Sequence, residues 1–347
     1  MGHHRRLPRH RRHRQRQPRH GGAWHLRGAG GHRHRPRGGH PGAHGLQLLP
    51  GPAEAVPDGA GRLLPGVHQP LRAELHLSRR LPLSLDWEDW FQLCCPPYDQ
   101  PEALDRFECR LPLATERALG LCADLGATAT WFCLGDQARR HPALLRRIAG
   151  AGHAIGLHGL THRRAFEMDR AAWRASLRDG KALLEDLSGQ PVVGYRAPEW
   201  SLRGAAADWW RDLPELGFRY DSSRVPLAVI GDPALPRRPY LLAEGLWELP
   251  PPVLWSGPVR MPLWGWGPRV MPFSLVRRAL ETLALEDAGT PLVLHPWELD
   301  AEQPRLPGLS LGHRYTHGIG LRGYGSRLGD LLDGFQLTSL EAWVEAQ

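Results

Sequence analysis

From Leu81 onward, short apolar runs alternate with longer stretches of helical period, and that alternation predicts a β/α protein. The runs at 83–85, 128–134, 154–157, 192–195, 247–249, 291–294 and 336–338 are strand candidates. Between them, apolar positions three and four apart predict helices over 104–125, 136–151, 169–187, 205–216 and 274–287. Strands separated by helices pair in parallel, as an open sheet or closed into a barrel. The strand count favours a distorted (β/α) barrel with about seven strands, in which chemistry gathers at the C-terminal ends of the strands.

Before Leu81 the pattern is lost. Up to Leu46 the only large apolar side chains are Leu7, Trp24, Leu26 and Leu46, with neither a strand nor a helix period. Such a stretch cannot bury enough surface to offset its ordering entropy, so residues 1–80 are expected to be disordered and 81–347 to form the folded domain.

Charge divides at the same place. Residues 1–80 hold 16 arginines against Glu54, Asp58 and Glu74, a balance of +13 where the whole chain has only +8, so the remainder is −5. A basic arm can bind nucleic acid through phosphate contacts. Arg, Gly, Pro, His and Ala are also what G/C-rich codons overproduce, and Lys181 is the only lysine. The favoured reading is therefore upstream DNA translated from a start set too early, with no nucleic-acid partner.

Five cysteines, odd in number and without CxxC spacing, argue against a disulfide framework and a zinc knuckle. No apolar run is long enough for a membrane span, and no secretory signal is visible. A cytoplasmic protein is expected, with oligomeric state left open.

Candidate chemistry sits at the ends of the strand runs. Asp86, Glu88 and Asp89 follow the first, and equally suit a helix N-terminus, where acidic groups are favoured. His158 and His162 follow Ala154–Leu157; four apart on a helical turn, both rings would lie on one face and could share a metal. Gly159 stands where the HExxH motif of zinc proteases places its general base, so a protease is excluded. Arg196, in Gly194-Tyr195-Arg196-Ala197-Pro198, could hold a carboxylate ionised. His295 precedes Pro296, which cannot extend a ladder, and so stands at an edge or turn. Trp87, Trp90, Trp200, Trp264, Trp266 and Trp297 lie in or beside these segments, and their flat faces suit sugar rings as well as they suit a core.

In this order, the segments Leu83–Trp90, His158–His162, Gly194–Pro198, Trp247–Pro250 and Leu294–Glu298 resemble the five motifs of the NodB-type polysaccharide deacetylases, carbohydrate esterase family four. Asp86-Trp87-Glu88-Asp89-Trp90-Phe91, Gly217–Ser223 and His295–Glu298 running on to Gln303-Pro304-Arg305 are similar to the branch associated with exosortase and exopolysaccharide clusters.

The resemblance implies a divalent metal, zinc first, and an N-acetylated polysaccharide or oligosaccharide substrate whose acetyl groups a metal-activated water removes. It implies Asp86 as general base, His158 and His162 as metal ligands, Arg196 as the partner of Asp86, and His295 as general acid. Tyr195, Pro198, Trp200 and Trp297 would face substrate. Because Trp87 replaces the second of two adjacent aspartates, the carboxylate ligand is either Glu88 or Asp89. The alternatives are a glycoside hydrolase using two carboxylates, another carbon–nitrogen amide hydrolase on the same barrel, and a nucleic-acid-binding protein working through residues 1–80.

Overall fold

The computed structural model describes residues 79–347, apart from 100–102, 257–258 and 287. The disorder, basic arm and early start expected of the N-terminal segment lie outside the described residues, Arg79 and Arg80 excepted.

Among the described residues the strands are β1 (Arg80–Trp87), β2 (Thr130–Cys133), β3 (Ala154–Leu157), β4 (Gly194–Tyr195), β5 (Tyr220–Asp221), β6 (Tyr240–Ala243), β7 (Leu246–Glu248), β8 (Val253–Ser256), β9 (Val259–Pro262), β10 (Leu292–Leu294) and β11 (Gln336–Thr338). The helices are α1 (Ala103–Arg106), α2 (Leu111–Asp124), α3 (Gly135–Arg140), α4 (Pro142–Gly150), α5 (Arg170–Ser188), α6 (Trp266–Val270), α7 (Phe273–Leu285), α8 (Leu311–Gly318), α9 (Tyr324–Leu332) and α10 (Leu340–Glu345).

The main sheet runs β10-β1-β2-β3-β4-β5-β7-β6, with β11 added to the start of β1; all pairings are parallel except β6 with β7. Its two ends are not hydrogen-bonded to each other, so it is a curled half-barrel, with β8 and β9 as a separate hairpin. Seven of the eight residues of β1 are buried, as expected of a strand covered on both faces of a parallel sheet. Each of the seven predicted strand runs is found. The sheet also contains β5 and β6, which the apolar pattern does not mark.

Helices cover the sheet. Asp169 caps α5 by accepting from the Ala172 backbone N–H at 2.8 Å, and Gly189, at φ 71°, ends it. Its buried positions Trp173, Leu177, Gly180 and Leu184 recur at three and four, the stripe that faces β3. Gly180 is needed there because a Cβ would lie 2.8 Å from Leu157 Cδ1. Each fully buried leucine on such a stripe contributes about 1.5–3 kcal/mol.

Prolines break the predicted helices. The 136–151 helix is two, because Pro142 moves His141 out of helical geometry, to φ −128° and ψ 56°. The 104–125 helix restarts at Leu111, with Pro112 in the first turn of α2. Over 205–216 no α-helix forms, only short 3₁₀ turns at Gly204–Ala206 and Trp209–Asp212. Pro214 lacks an N–H and its ring would clash with the Trp210 carbonyl.

Candidate metal and catalytic centre

Parallel register aligns the C-terminal ends of the strands, so the groups that follow them meet. Leu157 pairs with Tyr195, Tyr195 with Asp221, and Leu85 with Leu294. His158, Arg196, Ser222 and His295 are the residues next in line, and Asp86 and Glu88 come from the end of β1.

Glu88, His158 and His162 each direct one ligand atom into a common space, all within 4.8 Å of one another. Glu88 Oε2 is 2.8 Å from His162 Nε2 and 3.7 Å from His158 Nε2. The other carboxylate oxygen, Oε1, accepts from the Trp297 indole N–H at 3.3 Å. His158 Nδ1 faces the Arg196 carbonyl oxygen at 2.8 Å; a carbonyl can only accept, so Nδ1 carries the proton and Nε2 presents its lone pair. His162 Nδ1 lies 3.3 Å from Cys94 Sγ, and the thiol donates to the His162 carbonyl oxygen. Burial raises the Cys94 thiol, which keeps it an S–H. Burial also opposes charge on Glu88, but His162, His158 and His295 outweigh it and hold the carboxyl well below its usual range. Burial lowers His162, yet the Glu88 carboxylate drives it well above its ordinary value. This pull for a proton is the pull a metal cation would satisfy.

The two histidines do not share a helical turn, as the spacing suggested. Residues 158–162 form a loop, and Gly159 at φ 107° bends it so that both imidazoles face Glu88. A Cβ at Gly159 would also come 2.9 Å from the Thr161 carbonyl.

Asp86 and His295 flank this cluster. Arg196 Nη1 donates to Asp86 Oδ1 at 2.5 Å, leaving Oδ2 at 4.0 Å from His158 Nε2 and 3.8 Å from His295 Nε2. Arg196 is fully buried, lies over the Phe132 ring at 4.2 Å, and donates to the Ser222 hydroxyl at 2.8 Å. Removing one partner of such a pair leaves an uncompensated charge that costs about 3–5 kcal/mol. His295 Nδ1 faces Glu298 Oε2 at 3.2 Å, and the Arg269 guanidinium pairs with Glu298 Oε1 at 3.1 Å. Burial opposes a charged His295, but Glu298, with Glu88 and Asp86, raises it to about 9.

Asp89 does not join the cluster. Its carboxylate accepts from the backbone N–H groups of Trp90, Arg110 and Leu111 and so caps α2, the structural alternative that the sequence allowed. Tyr195 is not brought to the site either: its ring is core, its hydroxyl accepts from the Trp173 indole, and Phe218 packs beside it. Trp297 is buried and braces Glu88 instead of offering an open platform. Pro198 is buried beside Gly159, and Trp200 is half-buried against Trp264 at 5.2 Å. Glu199 and Trp200 both have positive φ, 48° and 50°, a strained turn held by Glu199 bonding Arg164 and the Cys94 backbone N–H.

The supporting residues Cys94, Ser222, Arg269 and Glu298 carry no role in the sequence reading. Only Glu298 had a local signal, standing three residues after His295 at capping-box spacing, and its carboxylate does accept from the His295 backbone N–H at 3.0 Å. The others act through contacts distant in the chain.

Two stretches of the chain match known protein families. The profile of the family described as Polysaccharide deacetylase matches residues 105–220. The chain carries a polysaccharide deacetylase domain of the NodB type. A second profile, a domain of unknown function (DUF3473), the type found C-terminally in exopolysaccharide-associated members, matches residues 222–345. The deacetylase domain is similar to the peptidoglycan deacetylase of Helicobacter pylori, 29% identical over 125 residues, 36% of this chain and 42% of that one. It is also similar to the chitooligosaccharide deacetylase of Rhizobium leguminosarum bv. trifolii, 32% identical over 84 residues, 24% of this chain and 39% of that one. The chain thus matches less than half the length of these relatives. A solved "putative polysaccharide deacetylase from Mycobacterium smegmatis" shares the fold, with TM-score 0.53 and 24% identity over 77% of this chain and 89% of that one. The centre crosses the profile boundaries: Asp86 and Glu88 precede the first match, and His295 and Glu298 lie in the second. Among the described residues no helix is long and apolar enough to cross a membrane.

Proposed function

We propose that this protein hydrolyses N-acetyl groups on the amino sugars of a polysaccharide, an exopolysaccharide first among candidates. The observation that carries the proposal is the convergence of Glu88, His158 and His162, with Asp86 and His295 beside them. Two imidazole nitrogens and a carboxylate are the donor set of a three-ligand catalytic site, and zinc is the ion whose preferences they match. Both histidines have the far ring nitrogen engaged, so the near one is free to bind. Bound there, a divalent ion supplies Lewis acidity that polarises the acetyl carbonyl and makes water acidic.

The chain's own groups do the rest. Asp86 is the general base, and the oxygen that takes the proton is Oδ2, because Arg196 occupies Oδ1. His295, kept protonated by Glu298, delivers a proton from Nε2 to the leaving amine. One group thus serves as base and the other as acid. Two carboxylates alone would suffice for a glycoside hydrolase. Here Glu88 is turned toward two imidazoles, which favours the amide reading.

The test is acetate release from N-acetylated oligosaccharides by protein loaded with zinc, cobalt or manganese, alongside His162→Ala. Metal-dependent acetate release that this variant loses is expected. Release of sugar fragments without acetate would replace the proposal with glycosidic cleavage.

A further inference from the structure

A cavity of about 780 Å³ lies between residues 301–309 and the segment formed by α8 and the turn after it. That volume is in the range of small-ligand sites. Arg305, Arg314 and Arg322 all line it, and no aspartate or glutamate does. None of the three guanidiniums has an ion pair among the described residues, whereas Arg110, Arg117, Arg164, Arg170 and Arg174 are each paired. Glu302, the carboxylate nearest in sequence, turns away to Arg117 at 3.9 Å. Gln303 also lines the cavity, with both amide atoms buried and unpartnered. Three cations around one cavity, with no counter-charge, make a receptor for an anion; guanidinium forks fit carboxylate and phosphate oxygens in pairs.

The cavity shares a wall with the candidate centre. His317, on its lining, stacks on Trp297 at 4.7 Å and 10°, and Trp297 lies 5.3 Å from the His295 ring. Arg269 ties the two mechanically, accepted by the Thr316, His317 and Ile319 carbonyls at the end of α8 while pairing with Glu298. A polymer with its acetamide at Glu88 and His295 would carry a more distant sugar past His317 to the arginines.

We infer that this cavity binds an acidic group of the polymer, a carboxylate or a phosphate, and that the substrate class is an acidic N-acetylated polysaccharide. The inference rests on the deacetylase reading for where the polymer lies. Together the charge-assisted contacts are expected to raise affinity roughly tenfold.

The experiment measures binding by titration calorimetry and acetate release separately. The probes are a neutral N-acetylglucosamine oligomer, an oligomer alternating N-acetylglucosamine with glucuronic acid, its carboxyl-reduced form, and a phosphodiester-linked N-acetylglucosamine oligomer. The wild-type protein is expected to bind an acidic oligomer at least about tenfold more tightly than its neutral counterpart, with the advantage shrinking as salt rises. Arg314→Ala/Arg322→Ala should erase that preference and leave neutral binding unchanged. Whichever acidic oligomer binds more tightly identifies carboxylate or phosphate as the recognised group. Equal binding of acidic and neutral oligomers, or a preference that survives the double variant, overturns the inference. Acetate release without that preference overturns the subsite alone; an arginine-dependent preference with no acetate from any oligomer overturns the deacetylase reading alone.

Discussion

The two sides of the centre are built on different plans. On one side, His158 and Arg196 each stand directly after a strand and His162 lies four residues beyond His158, so strand register and the turn at Gly159 do most of the positioning. On the other, His295 depends on Glu298, Glu298 on Arg269, and Arg269 on carbonyls at 265 and 316–319, a chain of contacts spanning residues 265–319. A short motif can specify the first arrangement. The second exists only once α6, α8 and the β10 end have packed together.

Substitutions can break or sharpen this contrast. The largest effect is expected from the base. Asp86→Asn should lower kcat by about 10²–10⁴-fold while the protein retains its metal, read by elemental analysis beside an acetate assay. If turnover survives within a few-fold, Asp86 is not the base and the first side has been misassigned.

Next comes the layered side. Glu298→Gln removes the group that most raises His295, so the proton His295 holds up to about pH 9 should leave at lower pH. The alkaline limb of the kcat/KM profile should therefore move down in pH, with kcat little changed well below it. An unmoved limb would mean that Glu298 acts only as a structural cap.

A third effect concerns stability. Asp221 and Glu248 are fully buried partners across β5 and β7; burial raises both, Asp221 to about 6, and Glu248 is pushed higher still by the charge of Asp221. Carboxyls with raised folded-state values stabilise most while protonated, and that contribution is lost as pH rises through those values. The melting temperature should accordingly fall from pH 5 to pH 7.5, and Asp221→Asn should flatten the slope. Because Ser222 and Ser223 next to this pair hold Arg196 and the Ala197 backbone N–H, the variant also tests whether the pair supports the first side. The smallest effects are expected at the caps. Asp169→Ala and Ser339→Ala should each cost about 1 kcal/mol in denaturant unfolding and leave metal binding intact.

The same contrast explains what could be read from the chain. β1, β2 and β3 are rich in apolar residues, so their positions and the residues after them were legible. β5, with only Tyr220 and Asp221, and the hairpin β8–β9 lack enough alternation to register. Helix lengths failed where Pro112, Pro142 and Pro214 intervened. The choice between Glu88 and Asp89 could not be made from spacing, because it depends on which carboxylate meets the α2 N-terminus. Tyr195 was placed at the site by its motif, but strand alternation turns its ring into the core against Trp173.

The central claim is that Glu88, together with His158 and His162, holds one divalent ion. Metal content after dialysis, measured on purified wild-type and Glu88→Gln protein with folding checked by circular dichroism, tests it most directly. One equivalent is expected in the wild type and almost none in the folded variant; a full equivalent retained by Glu88→Gln would contradict that claim.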